Sequence, residues 1–206
     1  LSVSLTWADE ADQGTEVKDV KLWIFDADDG SLVEEKHYSS AKEVASQRFT
    51  LPEGSYRILA ATNLTEPFTV GEQTRALTNW NNIQIGLTNP KDVNHNAYFG
   101  VTDVRIDNKE GNYVVQNPVK SVLAELTIII ENVPKGTEMS GKALDAAWCL
   151  FPTQKNSDGD YGLPSIKPTE VELPTILATE STLKSEVIRL MPTIQGSSAS
   201  HVYLRL

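Results

Sequence analysis

Apolar and polar residues alternate along much of the chain, and this two-residue period is typical of β-strands with one buried face. The first seven residues follow it, with apolar side chains at four odd positions: Leu1, Val3, Leu5 and Trp7. Residues 20–25 are apolar at every position except Lys21. This run predicts a central strand covered on both faces, or a strand flanked by an aromatic partner. The Asp-Asp-Gly-Ser sequence at residues 28–31 predicts a tight turn that leads into a return strand.

Further apolar runs, separated by Gly, Pro and Asn, predict strands in the rest of the chain. They lie at residues 48–51, 56–61, 83–87, 98–103, 113–116, 119–133, 146–151, 170–173, 182–191 and 201–206. Prolines punctuate the second half and exclude long helices there. Many short strands at a spacing of about 8–12 residues are typical of β-sandwiches. We therefore predict an all-β fold of two tandem β-sandwich domains, residues 1–117 and 118–206.

Composition and charge exclude several classes of partner. The 206 residues carry 18 Lys and Arg against 28 Asp and Glu, a formal net charge of −10. A surface this acidic repels phosphate backbones, so we predict no binding of nucleic acid. The longest run of β-branched apolar residues, 128–130, is far too short to span a bilayer.

The residues that usually carry chemistry are few. The chain has three histidines and one cysteine, Cys149, which excludes an intrachain disulfide and a Cys/His zinc site. Acidic residues at 26–29 and 156–160 are spaced somewhat like calcium loops, but neither segment supplies the glycine and the final acid in register. Turns explain both segments better. We predict no enzymatic activity, no catalytic residues, no cofactor and no metal.

Tryptophans are candidates for stacking on sugar rings. Three of the four lie within strand patterns and are predicted to be core residues: Trp7, Trp23 and Trp148. Trp80 lies in the polar segment Thr-Asn-Trp-Asn-Asn at residues 78–82, so it is the candidate for an exposed ligand contact. Anchoring of its own loop is the alternative that we favour for Trp80.

The order of several short motifs resembles the fimbrillin superfamily of the Bacteroidales, particularly its FimB/Mfa2-type anchor subunits. The motifs are Trp7, Asp29-Gly30, Leu51-Pro52, Gly54, Tyr56 and Asn63. Residues 98–100, Tyr-Phe-Gly, and the strand pattern at 122–133 resemble the entry into the second domain of these proteins. In this chain, residues 123–126 read Leu-Ala-Glu-Leu where the family has a basic motif.

The resemblance implies two transthyretin-like Greek-key β-sandwiches in a fimbrial (pilus) subunit of anchor type. It implies a lipoprotein on the outer membrane or in the fimbrium, anchored by a lipid upstream of Leu1. The implied partners are other fimbrial subunits, joined by donor-strand exchange, and host or bacterial surface ligands. The candidate exchange segments lie at the two ends of the sequence: Leu1, Val3, Leu5 and Trp7, and Val202, Leu204 and Leu206. For the C-terminal segment, an internal strand is the alternative that we favour. A second function, a carbohydrate-binding surface lipoprotein or adhesin module, would use Trp80 and the Asn-rich residues 79–96.

Overall fold

The computed structural model describes residues 1–72, 79–91, 93–108, 110–165, 168–193 and 201–206. In this part of the chain nearly all regular structure is β, so the predicted all-β class is confirmed. The strands are β1 Ser2–Trp7, β2 Val20–Asp26, β3 Leu32–Tyr38, β4 Gly54–Thr62, β5 Phe68–Glu72, β6 Ile83–Leu87, β7 Tyr98–Ile106, β8 Val114–Ser121, β9 Ala124–Leu126, β10 Ile129–Glu131, β11 Glu138–Ala147, β12 Cys149–Lys155, β13 Tyr161–Pro164, β14 Pro168–Leu177, β15 Thr182–Lys184, β16 Ile188–Leu190 and β17 Val202–Arg205. A helix, α1, spans Ala41–Ser46, and a 3-10 turn spans Glu10–Asp12.

The largest sheet has six strands in the order β1-β8-β7-β4-β2-β3. All neighbouring strands in it are antiparallel except β1 and β8, which are parallel. The strand β2 lies inside this sheet, and its side chains are buried alternately on the two faces. Leu22 and Ile24 belong to one hydrophobic cluster and Trp23 and Phe25 to another, which confirms the predicted double-sided strand.

A second sheet, in the order β13-β12-β6-β5, shares a hydrophobic core with the six-stranded sheet. Phe25, Leu59 and Phe99 of the large sheet belong to the same cluster as Ile85 and Leu150 of the small one. On the other face of the large sheet, α1 and the chain after it supply a separate cover of buried apolar residues. The central strand β2 and most of β4 are thus buried on both faces of this sheet.

The C-terminal strands form smaller sheets around a third cluster, which includes Met139 and Leu183. One sheet has the order β14-β11-β17, and two ladders pair β10 with β15 and β9 with β16. This arrangement bears on the predicted domain limits. Residues 117 and 118 lie inside β8, and β6 pairs with β12 across that point of the sequence. The division into two domains remains a prediction.

Two strand predictions in the second half are wrong in length. Residues 119–133 form parts of three short strands, β8, β9 and β10, and residues 182–191 form β15 and β16. The segments 124–131 and 182–190 pair with each other, but the pairing is interrupted where Ile128 N donates to the Ser185 hydroxyl (2.9 Å) and not to a backbone carbonyl. The predicted strand at 48–51 is absent, although Phe49 exchanges backbone hydrogen bonds with Leu1. A run of β-branched residues favours strand structure but does not establish continuous pairing.

The turn chemistry of the first half agrees with the sequence. Gly30 has φ +73°, which glycine adopts without strain, and its N–H donates to Asp26 O (3.0 Å). Tyr56 is buried and donates its hydroxyl to Pro52 O (3.0 Å), which forms a tyrosine corner. This corner fixes the start of β4, the strand next to β2.

Candidate functional site: two terminal strands and a polar cleft

The N-terminal strand is held firmly in the six-stranded sheet. Every residue of β1 has a register partner in β8, from Ser2 opposite Val114 to Trp7 opposite Val119. Leu1 exchanges backbone hydrogen bonds with Phe49 on the other side (2.9 and 2.8 Å). Leu1 and Leu5 are partly buried beside the cluster that holds Val3, and the Trp7 ring meets Tyr98 edge to face at 4.8 Å. Because Val3 is only 1% exposed, removal of β1 would expose a buried core.

The C-terminal strand is placed very differently. β17 is an edge strand that pairs antiparallel with β11 at four positions, from Ser140 opposite Arg205 to Ala143 opposite Val202. Its side chains are largely in solvent: Val202 is 46% and Tyr203 60% exposed, and Leu204 and Leu206 are exposed as well. The strand is therefore held mainly by its backbone hydrogen bonds.

A glycine on β11 lets β17 approach closely. A Cβ atom at Gly141 would lie 2.4 Å from Tyr203 O and 3.0 Å from a Leu204 methyl carbon, closer than real Cβ contacts. Beside this point lies a groove of about 490 Å³, bounded by Leu173 and Thr175 of β14 and by Tyr203 and Leu204. Gly141 thus permits the close pairing of β17 with β11.

Trp80 is not exposed. It is 4% exposed, and its ring meets Phe25 and Tyr161 edge to face at 5.4 and 5.8 Å. The Arg57 guanidinium carbon lies 5.3 Å from the ring centroid. The expectation of an exposed ligand contact is therefore wrong, and the loop-anchoring alternative matches the structure. The loop folds back on the hairpin turn, where Trp80 N donates to Gly30 O (2.9 Å). The polar residues around Trp80 in the sequence do not indicate this contact.

The prediction that Trp148 is a core residue is wrong. It is 41% exposed, because the chain bends there between β11 and β12. Its neighbours line a small cavity of about 190 Å³, which includes Leu87 and Met191. An uninterrupted apolar run at 146–151 gave no signal of this bend.

A polar cleft of about 500 Å³ lies where the N-terminal sheets meet the β9–β16 ladder. It is lined by Thr15, Glu16, Lys18, Asn63, Thr65, Asn94, His95, Asn96, Tyr98, Glu125 and Arg189. Sequence reasoning missed this group, apart from the general expectation for residues 79–96, because its members lie up to 174 positions apart (189 − 15). Among these lining residues, Asn63 has a conformation that its residue type favours: its φ is +60°, and asparagine tolerates this left-handed backbone better than most residues.

The described part of the chain contains few side chains suited to metal binding or nucleophilic catalysis. Cys149 is buried, and this burial raises the pKa of its thiol above the ordinary value. Among the described residues, no group of three or more His, Cys, Asp or Glu side chains is placed to hold a metal ion. No helix in these residues has the length and apolar character needed to cross a membrane.

Comparisons with solved structures show the same fold in several proteins. The fimbrial anchor protein Mfa2 of Porphyromonas gingivalis is 14% identical, with a TM-score of 0.63 over 98% of this chain and 75% of that one. A provisionally assigned adhesin of Bacteroides thetaiotaomicron is 14% identical, with a TM-score of 0.67 over 99% and 75%. Another protein of that organism, provisionally assigned as polysaccharide binding, is 10% identical, with a TM-score of 0.60 over 98% and 74%.

The family assignment comes from the sequence itself. No curated protein sequence is matched by this chain. The model of the family "Fimbrillin-A associated anchor proteins Mfa1 and Mfa2" matches residues 1–199, which is nearly the whole sequence. The chain therefore belongs to the Mfa1 and Mfa2 family of fimbrillin-A associated anchor proteins.

Proposed function

We propose that this protein is a cell-surface fimbrial subunit of anchor type that joins other fimbrial subunits by β-strand complementation. The family has a structural role in fimbriae, which accords with a protein that catalyses no reaction. The observation that carries the proposal is the contrast between the two terminal strands. Both strands lie at the edge of a sheet, but the side chains of β17 are exposed, whereas those of β1 are buried or partly buried.

β17 has the features of a strand that another chain can replace. Its attachment consists of backbone bonds to β11, and these bonds are independent of side-chain identity. An incoming strand would form the same ladder and would line the same groove. We therefore assign the exchange segment to Val202, Leu204 and Leu206, and not to Leu1, Val3, Leu5 and Trp7.

The proposed place of action is the bacterial surface. As the family resemblance implies, a lipid upstream of Leu1 would attach the protein to the outer membrane or keep it at the base of the fimbrium. Its partners would be fimbrial subunits that supply or accept a strand. The two-domain transthyretin-like Greek-key arrangement belongs to the same proposal.

A chain that lacks residues 201–206 tests whether β11 accepts a strand. We expect it to stay folded and to bind a fluorescein-labelled peptide of residues 201–206, measured as a rise in fluorescence anisotropy. A scrambled peptide should bind at least about tenfold more weakly, which corresponds to about 1.4 kcal/mol. The proposal fails if the folded truncated chain binds neither peptide or binds both equally.

Gly141→Ala sharpens this test, because the added methyl group would collide with the backbone of the bound strand. In the truncated chain it should weaken peptide binding by about tenfold or more, or about 1.4 kcal/mol. Gly71→Ala is the matched control, since it changes a glycine in β5, whose nearest neighbour is the flexible end of Gln84. Equal effects of the two substitutions would contradict the assignment of the site.

A carbohydrate-binding surface module is the second candidate function. The sequence-based expectation for this function was that Trp80 stacks on a sugar, and the burial of Trp80 rules out that contact. What favours it now is the polar cleft, because Asn94, His95 and Asn96 of the Asn-rich segment all line it. Host or bacterial surface glycans would be the ligands.

A further inference from the structure

We infer that the polar cleft is a binding site for a neutral saccharide unit of a glycan. This inference rests on the second candidate function, gives it a site, and is independent of strand complementation at β11. Three properties of the cleft support it: the charges balance, the inner side chains are fixed in position, and other lining groups can form further hydrogen bonds.

The charges in the cleft cancel. Two cations, Lys18 and Arg189, face two carboxylates, Glu16 and Glu125, in a protein whose net charge is −10. Each carboxylate has its own cation at 2.9 Å. A site of this kind gives no net attraction to a phosphate, a sulfate or a metal cation. The ligand that it suits is polar and uncharged.

The inner side chains are held in place before any ligand arrives. Asn63 accepts a hydrogen bond from Lys18 N (3.0 Å) and donates one to Glu16 O (3.1 Å). The His95 ring lies edge to face against Phe68 at 5.3 Å, with its Nδ1 2.7 Å from Asn94 Oδ1. Such fixed groups lose little conformational entropy on binding.

Tyr98 forms the buried part of the wall. Burial raises the pKa of its phenol above the ordinary value, so the hydroxyl remains protonated and donates to Asp12 Oδ1 (3.1 Å). This bond fixes the tyrosine beside the cleft. Together with Asn63 and His95, it makes a rigid inner wall.

Several groups keep capacity for further hydrogen bonds. Arg189 donates from Nε to Glu125 (2.9 Å) and from Nη1 to Asn94 O (3.5 Å), and a guanidinium has five N–H groups. The Glu125 carboxylate can accept several bonds, and the exposed amide of Asn94 offers donors at the rim. A sugar presents adjacent hydroxyls that both donate and accept. The cleft thus supplies neighbouring donors and acceptors of the kind that sugar hydroxyls require.

An array of neutral oligosaccharides, with sialylated and sulfated ones for comparison, tests this inference on the full chain. We expect binding of a neutral glycan, confirmed by calorimetry with the glycan that gives the strongest signal. Arg189→Gln and Asn94→Ala should each weaken that binding by at least about tenfold. Arg105→Gln is the matched control, because Arg105 forms an exposed ion pair with Asp107 outside the cleft.

The outcomes separate the site from the function. Binding that is unchanged in both cleft variants would overturn the site and leave carbohydrate binding in place. Binding of no glycan, or only of charged glycans, would overturn the inference, while peptide capture by β11 would still stand or fall by its own assay. Asn94 is exposed, so its variant keeps the test valid if Arg189→Gln fails to fold.

Discussion

Trp80→Ala lowers the free energy of unfolding by about 3–5 kcal/mol, the loss typical of a large aromatic residue removed from a core. The reason is that Trp80 fills the space between Phe25 and Tyr161 and fixes its loop to the turn at Gly30. The change is measured by urea unfolding followed by circular dichroism.

Trp148→Ala is the comparison for this prediction, because it removes the same side chain from a more exposed position. We expect it to lower the free energy of unfolding by less than half as much. Equal losses, or a Trp80→Ala protein as stable as the original, would show that Trp80 does not anchor the loop.

Val3→Asp prevents stable folding, whereas the same substitution at Val202 leaves the protein folded. Val3 is almost fully buried in β1, where a carboxylate would be unpaired, and burial of an unpaired charge is among the changes that cost about 4 kcal/mol or more. Val202 lies on the exposed edge strand β17, where water solvates the new charge. Thermal unfolding and size-exclusion chromatography distinguish the two variants.

The opposite order of effects would reverse the assignment of the terminal strands. If Val202→Asp unfolds the protein and Val3→Asp does not, β17 is the structural strand and β1 the replaceable one. Similar losses in both variants would mean that neither strand can be exchanged without loss of the fold.

The class of fold could be predicted from the sequence, because the alternation of apolar and polar residues and the composition of tight turns are local properties. The double-sided strand β2, the turn at Gly30 and the corner at Tyr56 all follow from residues within a few positions of each other. The same local signals failed at residues 119–133. There the apolar pattern is continuous, but the pairing is interrupted at Ile128, whose N–H donates to the hydroxyl of Ser185, 57 positions away.

The candidate sites depend on contacts that sequence spacing does not encode. For Trp80 the sequence left open an exposed contact or a loop anchor, and a distant hairpin covers the residue; Trp148 is predicted in the wrong environment because it lies at a bend. Asn94 and Arg189 lie together in the cleft because the N-terminal sheets pack against the β9–β16 ladder, and their spacing in the sequence does not indicate this contact. Alternation predicted both terminal strands, yet it could not show which of them has buried side chains.

The central claim is that β17 is a replaceable strand and β1 a permanent one. Hydrogen–deuterium exchange of the full chain, followed by mass spectrometry of peptides from the two segments, tests it most directly. Backbone amides that open locally exchange faster than those that open only with the whole protein. We predict that amides of 202–205 exchange at least about a hundredfold faster than amides of 2–7. Equal protection of the two segments would contradict the claim.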